Sequence, residues 1–165
     1  MFGLDNLEAL FVVWAFLFQI VLIVHFALRK WYFAVAMRYG PLVYALGIPA
    51  VAVSVLILLD GEAWYLWIGG FLCLAWGIFG YSVEYVKKIQ WRNPILWPVF
   101  VPYISLYLAT VMFYWWPLGL ISQPLGYAYA ILFIKSTALN TTSHKGIEAG
   151  SHLIYDRVCR LSGTC

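Results

Sequence analysis

Across 165 residues the chain is 64% hydrophobic and only 10% charged, with a net charge of +3. Soluble domains run nearer ~25% charged and ~45–50% apolar, so this is the composition of a polytopic integral membrane protein. The net charge is too small to argue for nucleic acid as a partner. Five spans and their turns would use most of the length, leaving no room for an added soluble domain.

The opening MFGLDNLE is acidic and lacks the basic region of a cleavable signal peptide. A hydrocarbon core of ~30 Å needs ~20 apolar helical residues. Residues 9–28, 41–59, 64–83 and 95–118 meet that requirement. A fifth stretch, 125–144, is weaker because its second half reads KSTALNTTSH. The short links DGEA and GLISQ join antiparallel neighbours. Backbone groups in lipid must be satisfied internally and no alternating barrel pattern is present, so the expected fold is an all-α bundle of five transmembrane helices over 1–145.

In the first span Gln19 lies roughly 16 Å beyond Glu8, near mid-depth. His25 is deeper still, where a lone histidine is ordinarily a packing residue and otherwise a candidate acid or base. The second span carries Pro49. The third holds the clearest pattern: Gly70, Cys73, Gly77, Gly80 and Glu84 at spacings 3, 4, 3, 4. Small residues on one face let helix backbones approach closely in lipid, so this stripe is expected to be the tightest contact of the bundle. Glu84 would point into protein at its end, or pair with Lys88 one turn on.

The fourth span opens NPILWPVFVP. Pro94 suits a first turn, while Pro98 and Pro102 are expected to remove intrahelical bonds and bend the helix. FYWWP (113–117) reads as an interfacial anchor. In the fifth, a helix starting near Leu125 puts Lys135 roughly 15 Å in, near the midplane. A start near Leu118 would put it roughly 26 Å in, where it could snorkel to the headgroups. We adopt the deeper placement, with Lys135 facing Gln19, a bound anion or a partner subunit. Asn140 continues a polar side with Ser136 that lipid would not tolerate. The tail 146–165 has the pattern of a short interfacial helix, with Ile147, Ile154, Val158 and Leu161 on one side and Arg157 and Arg160 available for anionic lipid.

Charge gives the orientation. Arg29, Lys30, Arg38, Lys87, Lys88, Arg92, Lys145, Arg157 and Arg160 fall on one side, and Asp5, Glu8, Asp60 and Glu62 on the other. Basic residues flank the cytoplasmic side, which puts the N-terminus outside and the C-terminus inside, as an odd number of spans requires. Trp14, Trp64, Trp67, Trp115 and Trp116 then sit at the outer ends, and Trp31, Trp91 and Trp97 at the inner ends, as an aromatic belt. The setting expected from this is an integral membrane, the bacterial cytoplasmic membrane foremost.

Catalytic signatures are missing: no phosphate-binding glycine loop, no zinc-type histidine pair and no nucleophile elbow. The histidines at 25, 144 and 152 form no metal set, and no cofactor is indicated. Cys73 lies within the membrane, and Cys159 and Cys165 on the reducing side, which speaks against a disulfide framework. The sequon at Asn140 falls on the cytoplasmic side and should be silent.

The stretch PLGYAYAILFIKSTALN resembles the last helix of the tryptophan-rich sensory proteins, also called translocator proteins, which likewise ends in Leu-Asn. Length, five spans and richness in Trp are similar too. That family's Trp- and Pro-rich segment after the first helix is absent here, and WRNPILWP stands before the fourth helix instead. Membership would imply a porphyrin- or sterol-binding pocket; the resemblance does not carry that far.

The function expected first is a small non-enzymatic subunit, accessory or packing, of a larger membrane assembly, with the bilayer and a membrane-protein partner or second copy as its contacts. The alternative is a carrier or binding protein for a small hydrophobic or anionic ligand, using Lys135 and Gln19. A third reading is a membrane-embedded enzyme with Glu84 and His25 as acid and base.

Overall fold

The computed structural model describes residues 6–89 and 95–162, with 33 and 143–162 as backbone alone. Arg92 and Pro94 lie outside the described residues, as do the side chains of the tail.

Helix α1 (Asn6–Trp31) has Glu8 in its first turn and Arg29 and Lys30 in its last, each charge complementing the helix dipole. After Tyr32 the chain turns into α2 (Phe33–Ala45) and then α3 (Gly47–Leu59). The expected second span is therefore two helices in series, starting earlier than 41 and broken at Leu46. Pro49 is the reason, because it has no N–H to give to the carbonyl of Ala45 one turn back. Pro41 frees a second carbonyl, that of Met37, and the Tyr85 hydroxyl donates to it at 3.3 Å.

At the far end of α3, Gly61 takes a left-handed φ of 80°. Its N–H bonds the Leu58 carbonyl while that of Glu62 bonds Ile57, the double closure of a Schellman cap. Helix α4 (Trp64–Tyr81) follows and runs into a π-helical turn over Ser82–Val86. Lys88 ends it in the left-handed region, with a φ of 50°.

Helix α5 spans Trp97–Ile121. Here one expectation is corrected: Pro98 lies in the first turn, where its missing N–H breaks no intrahelical bond. The interior prolines are Pro102 and Pro117. Helix α6 starts at Gln123 after a single extended residue, Ser122, and continues to Ser162. The Trp115 indole donates to the Gly126 carbonyl at 2.9 Å and ties this joint.

Among the described residues, five rods result, with α2 and α3 forming one bent rod. They close a ring: α1 packs on α2, α3 on α4, α4 on α5, α5 on α6, and α6 returns to α1. Phe11, Ala15, Phe18, Leu22, Trp76, Val111, Tyr114 and Tyr129 fill its axis, each at most 2% exposed. Outside, Val13, Ile20, Val24, Ile48, Leu56, Ile78, Leu108, Ile131 and Ile134 are exposed. A soluble monomer does not dress its surface with large aliphatics all round. Four rods, residues 6–31, 34–59, 64–86 and 97–121, are long and apolar enough to cross a membrane. α6 is not among them; Lys135 and the polar residues after it dilute its apolar half.

Candidate functional site

Among the described residues a series of polar side chains is buried in the bundle, and α5 supplies more of them than any other helix. Tyr103, Tyr107, Thr110 and Tyr114 recur at spacings of 4, 3 and 4, one inward face of a helix, and all four are buried. Thr110 satisfies itself on the Leu106 carbonyl at 2.8 Å. The three tyrosines reach across to other helices.

At the end of the ring where Arg29 and Lys87 lie, Glu84 anchors the series. The Tyr44 hydroxyl donates to Glu84 Oε2 at 2.9 Å and lies 3.2 Å from the Tyr103 hydroxyl. Arg29 is close enough to act on Glu84 electrostatically. Lys88, the alternative partner by spacing, is exposed and lies beyond the helix end, in the left-handed residue. Glu84 is carried on a π-turn, a wider coil than an α-turn and one frequent at functional sites.

At mid-height Gln19 is completely buried, and its Nε2 donates to Ser136 Oγ at 2.8 Å. Ser136 in turn donates to the Phe133 carbonyl at 3.0 Å. The Tyr107 hydroxyl lies near Ser136 but outside hydrogen-bond geometry. Next to it, Trp76 is ringed by Phe18, Tyr44, Tyr103 and Tyr107 at centroid distances of 6.3, 5.3, 6.0 and 5.9 Å. Towards the other end, the Trp14 indole donates to the Tyr114 hydroxyl at 3.0 Å, with the Cys73 thiol beside it.

The sequence-predicted residues are distributed over this frame. Gly70, Gly77 and Gly80 lie on the side of α4 that faces α2 and α3. A Cβ added at Gly70 would meet Ser54 and Ala50, and one at Gly77 would come within 2.5 Å of the Tyr44 carbonyl oxygen. Cys73 turns instead towards Tyr114 on α5, so the stripe divides between two neighbours. Gln19 is brought to α6, but through Ser136. Lys135 stands about 100° away round that helix and is exposed, on a different face from the one that Ser136 turns towards Gln19. Asn140 is half-buried one turn on, and His25 packs against Phe26 and within 3.8 Å of where a Gly40 side chain would begin. Trp14, expected in the outer belt, is a core residue. It shares the inward face with Phe11 and Phe18. Trp64, Tyr65, Phe113 and Trp116 do form an aromatic cluster at the end of the bundle near Glu62, with Trp64 and Trp116 exposed.

Sequence reasoning passed over the tyrosines of α5, together with Tyr44, Trp76 and Tyr129. The signal was present in the 4, 3, 4 spacing on α5, in the same segment whose prolines draw attention first. Among the described residues no group of His, Cys, Asp or Glu could hold a metal ion. No protein family, characterised protein or solved structure matches the chain.

Proposed function

We propose that the chain is a non-enzymatic subunit of a membrane assembly, crossing the bilayer five times with its N-terminus outside. On this reading it docks on a partner through the outer face of α6. The observation that carries the reading is the position of Lys135. Gln19 lies thirteen residues after Asn6 and twelve before Trp31, the middle of α1, and its bond to Ser136 sets the height of α6. Lys135 is therefore roughly 18 Å from either end of α1, far more than a four-methylene stem can span. An ammonium exposed at that depth costs about 2.5 to 3.5 kcal/mol on insertion scales, so a partner carboxylate is the natural neighbour.

A second copy is the weaker candidate. Two parallel copies meeting through α6 would oppose Lys135 to Lys135, and none of the seven acidic residues of this chain stands at mid-height in a span. The partner is a different membrane protein, with an Asp or Glu in a helix flanked by residues that fit Tyr127, Ile131 and Ile134, all exposed here.

A photo-crosslinking residue at Ile134, in cells expressing the chain at its native level, should give one discrete heteromeric adduct. The same residue at Ile78, on α4, should not. Lys135→Met should abolish the Ile134 adduct while leaving the melting temperature of the purified chain unchanged or raised. If Ile134 crosslinks only to lipid, or the adduct survives Lys135→Met, the reading is wrong.

A further inference from the structure

Four buried polar atoms around the ring axis have no hydrogen-bond partner among the protein's own groups: Gln19 Oε1, Trp76 Nε1, and the hydroxyls of Tyr107 and Tyr129. Each belongs to a side chain at most 6% exposed, and they come from α1, α4, α5 and α6. They lie close to one another. Gln19 bonds Ser136, Tyr107 stands beside Ser136, Tyr129 is close enough to Tyr107 for their hydroxyls to interact electrostatically, and Trp76 packs on the Tyr107 ring with its indole N–H near the Tyr103 hydroxyl but outside hydrogen-bond geometry.

We propose that the centre of the ring is a water-binding site formed by these four side chains. Their chemistry fits that guest. Trp76 can only donate, Gln19 Oε1 can only accept, and the two phenols do both. Water donates two bonds and accepts two, which meets all three requirements. A lipid chain or any other apolar occupant would meet none of them. Unmade hydrogen bonds are the costly case in a buried network, and four together in one bundle would oppose its closure. The site has a polar route to the Arg29 end: Tyr103 is one turn from Tyr107 on the same face and continues through Tyr44 to Glu84.

X-ray hydroxyl-radical footprinting of the full chain in detergent reads this directly, because bound water is the local source of the radical. Tyr129, and Tyr107 with it, should be modified several-fold faster than Tyr114, which is as buried as Tyr129 but bonded to Trp14. Thermal unfolding supplies the sign. Removing a hydroxyl that binds water, in Tyr107→Phe or Tyr129→Phe, should lower the melting temperature by about 2–4 °C. In a dry core the same change would remove an unsatisfied group and raise it. Labelling at the Tyr114 rate, or a rise in melting temperature in both variants, overturns the proposal.

Discussion

Gly77→Ala is the smallest perturbation that tests how the second and third rods are held together. The new Cβ would stand 2.5 Å from the carbonyl oxygen of Tyr44, whereas ordinary van der Waals contact begins at 3.4 Å. The obstacle is backbone, so no rotamer change relieves it; α4 and the α2–α3 rod must separate by most of an ångström. Overpacking of this kind costs ~1–3 kcal/mol. Alanine also has an intrinsic helix advantage over glycine of up to ~1 kcal/mol, which has to be subtracted. Gly119→Ala supplies that reference, since a Cβ at Gly119 meets nothing within 4 Å. The difference between the two variants isolates the packing cost. At about 2–4 °C per kcal/mol for a chain of this size, Gly77→Ala should melt about 2–12 °C below Gly119→Ala, followed by tryptophan fluorescence in detergent. Equal melting temperatures, or a higher one for Gly77→Ala, would show that this face does not make the close approach described.

The Gln19–Ser136 bond should appear as a coupling energy of about 0.6 kcal/mol in a double-mutant cycle of Gln19→Leu and Ser136→Ala, the average for hydrogen bonds between transmembrane helices. Strictly additive effects would remove this bond as the link between α1 and α6. The proposed orientation predicts that a cysteine at Asp60, in a background lacking Cys159 and Cys165, reacts with a membrane-impermeant maleimide in intact cells. One at Lys87 should react only after permeabilisation; the reverse pattern inverts the topology.

Long apolar runs and the turn residues between them made the helices legible, because lipid leaves the backbone no other structure. Boundaries set by local chemistry were harder to read. Pro49 was visible, but that it breaks the rod at Leu46 depends on which carbonyl loses its donor. Spacing from Pro102 puts Pro98 inside a helix, although a helix start at Trp97 makes it harmless. Distance from the end of the span puts Trp14 in the outer belt, while its companions Phe11 and Phe18 at helical spacing mark it as core. Lys135 shows the same limit most sharply. Its depth follows from counting along the helix, but its direction depends on which neighbour, Ser136 or Lys135 itself, turns towards Gln19. A single residue of rotation separates a buried charge from an exposed one. The tyrosine series on α5 was legible by period alone, and its meaning became visible only when the ring closed around it.

The bond that closes the ring has a consequence for how the protein is made. Gln19 and Ser136 are 117 residues apart, so Gln19 enters the membrane long before its partner exists. At a synthesis rate of about 5–20 residues per second, the wait is roughly 6–23 s. During that interval Phe18 can already meet Trp76 once α4 is made and Tyr114 once α5 is made, while the Gln19 amide still lacks its partner. On α1 it is thus the Gln19 amide that waits longest, and the arrival of α6 converts an open row of rods into a closed one.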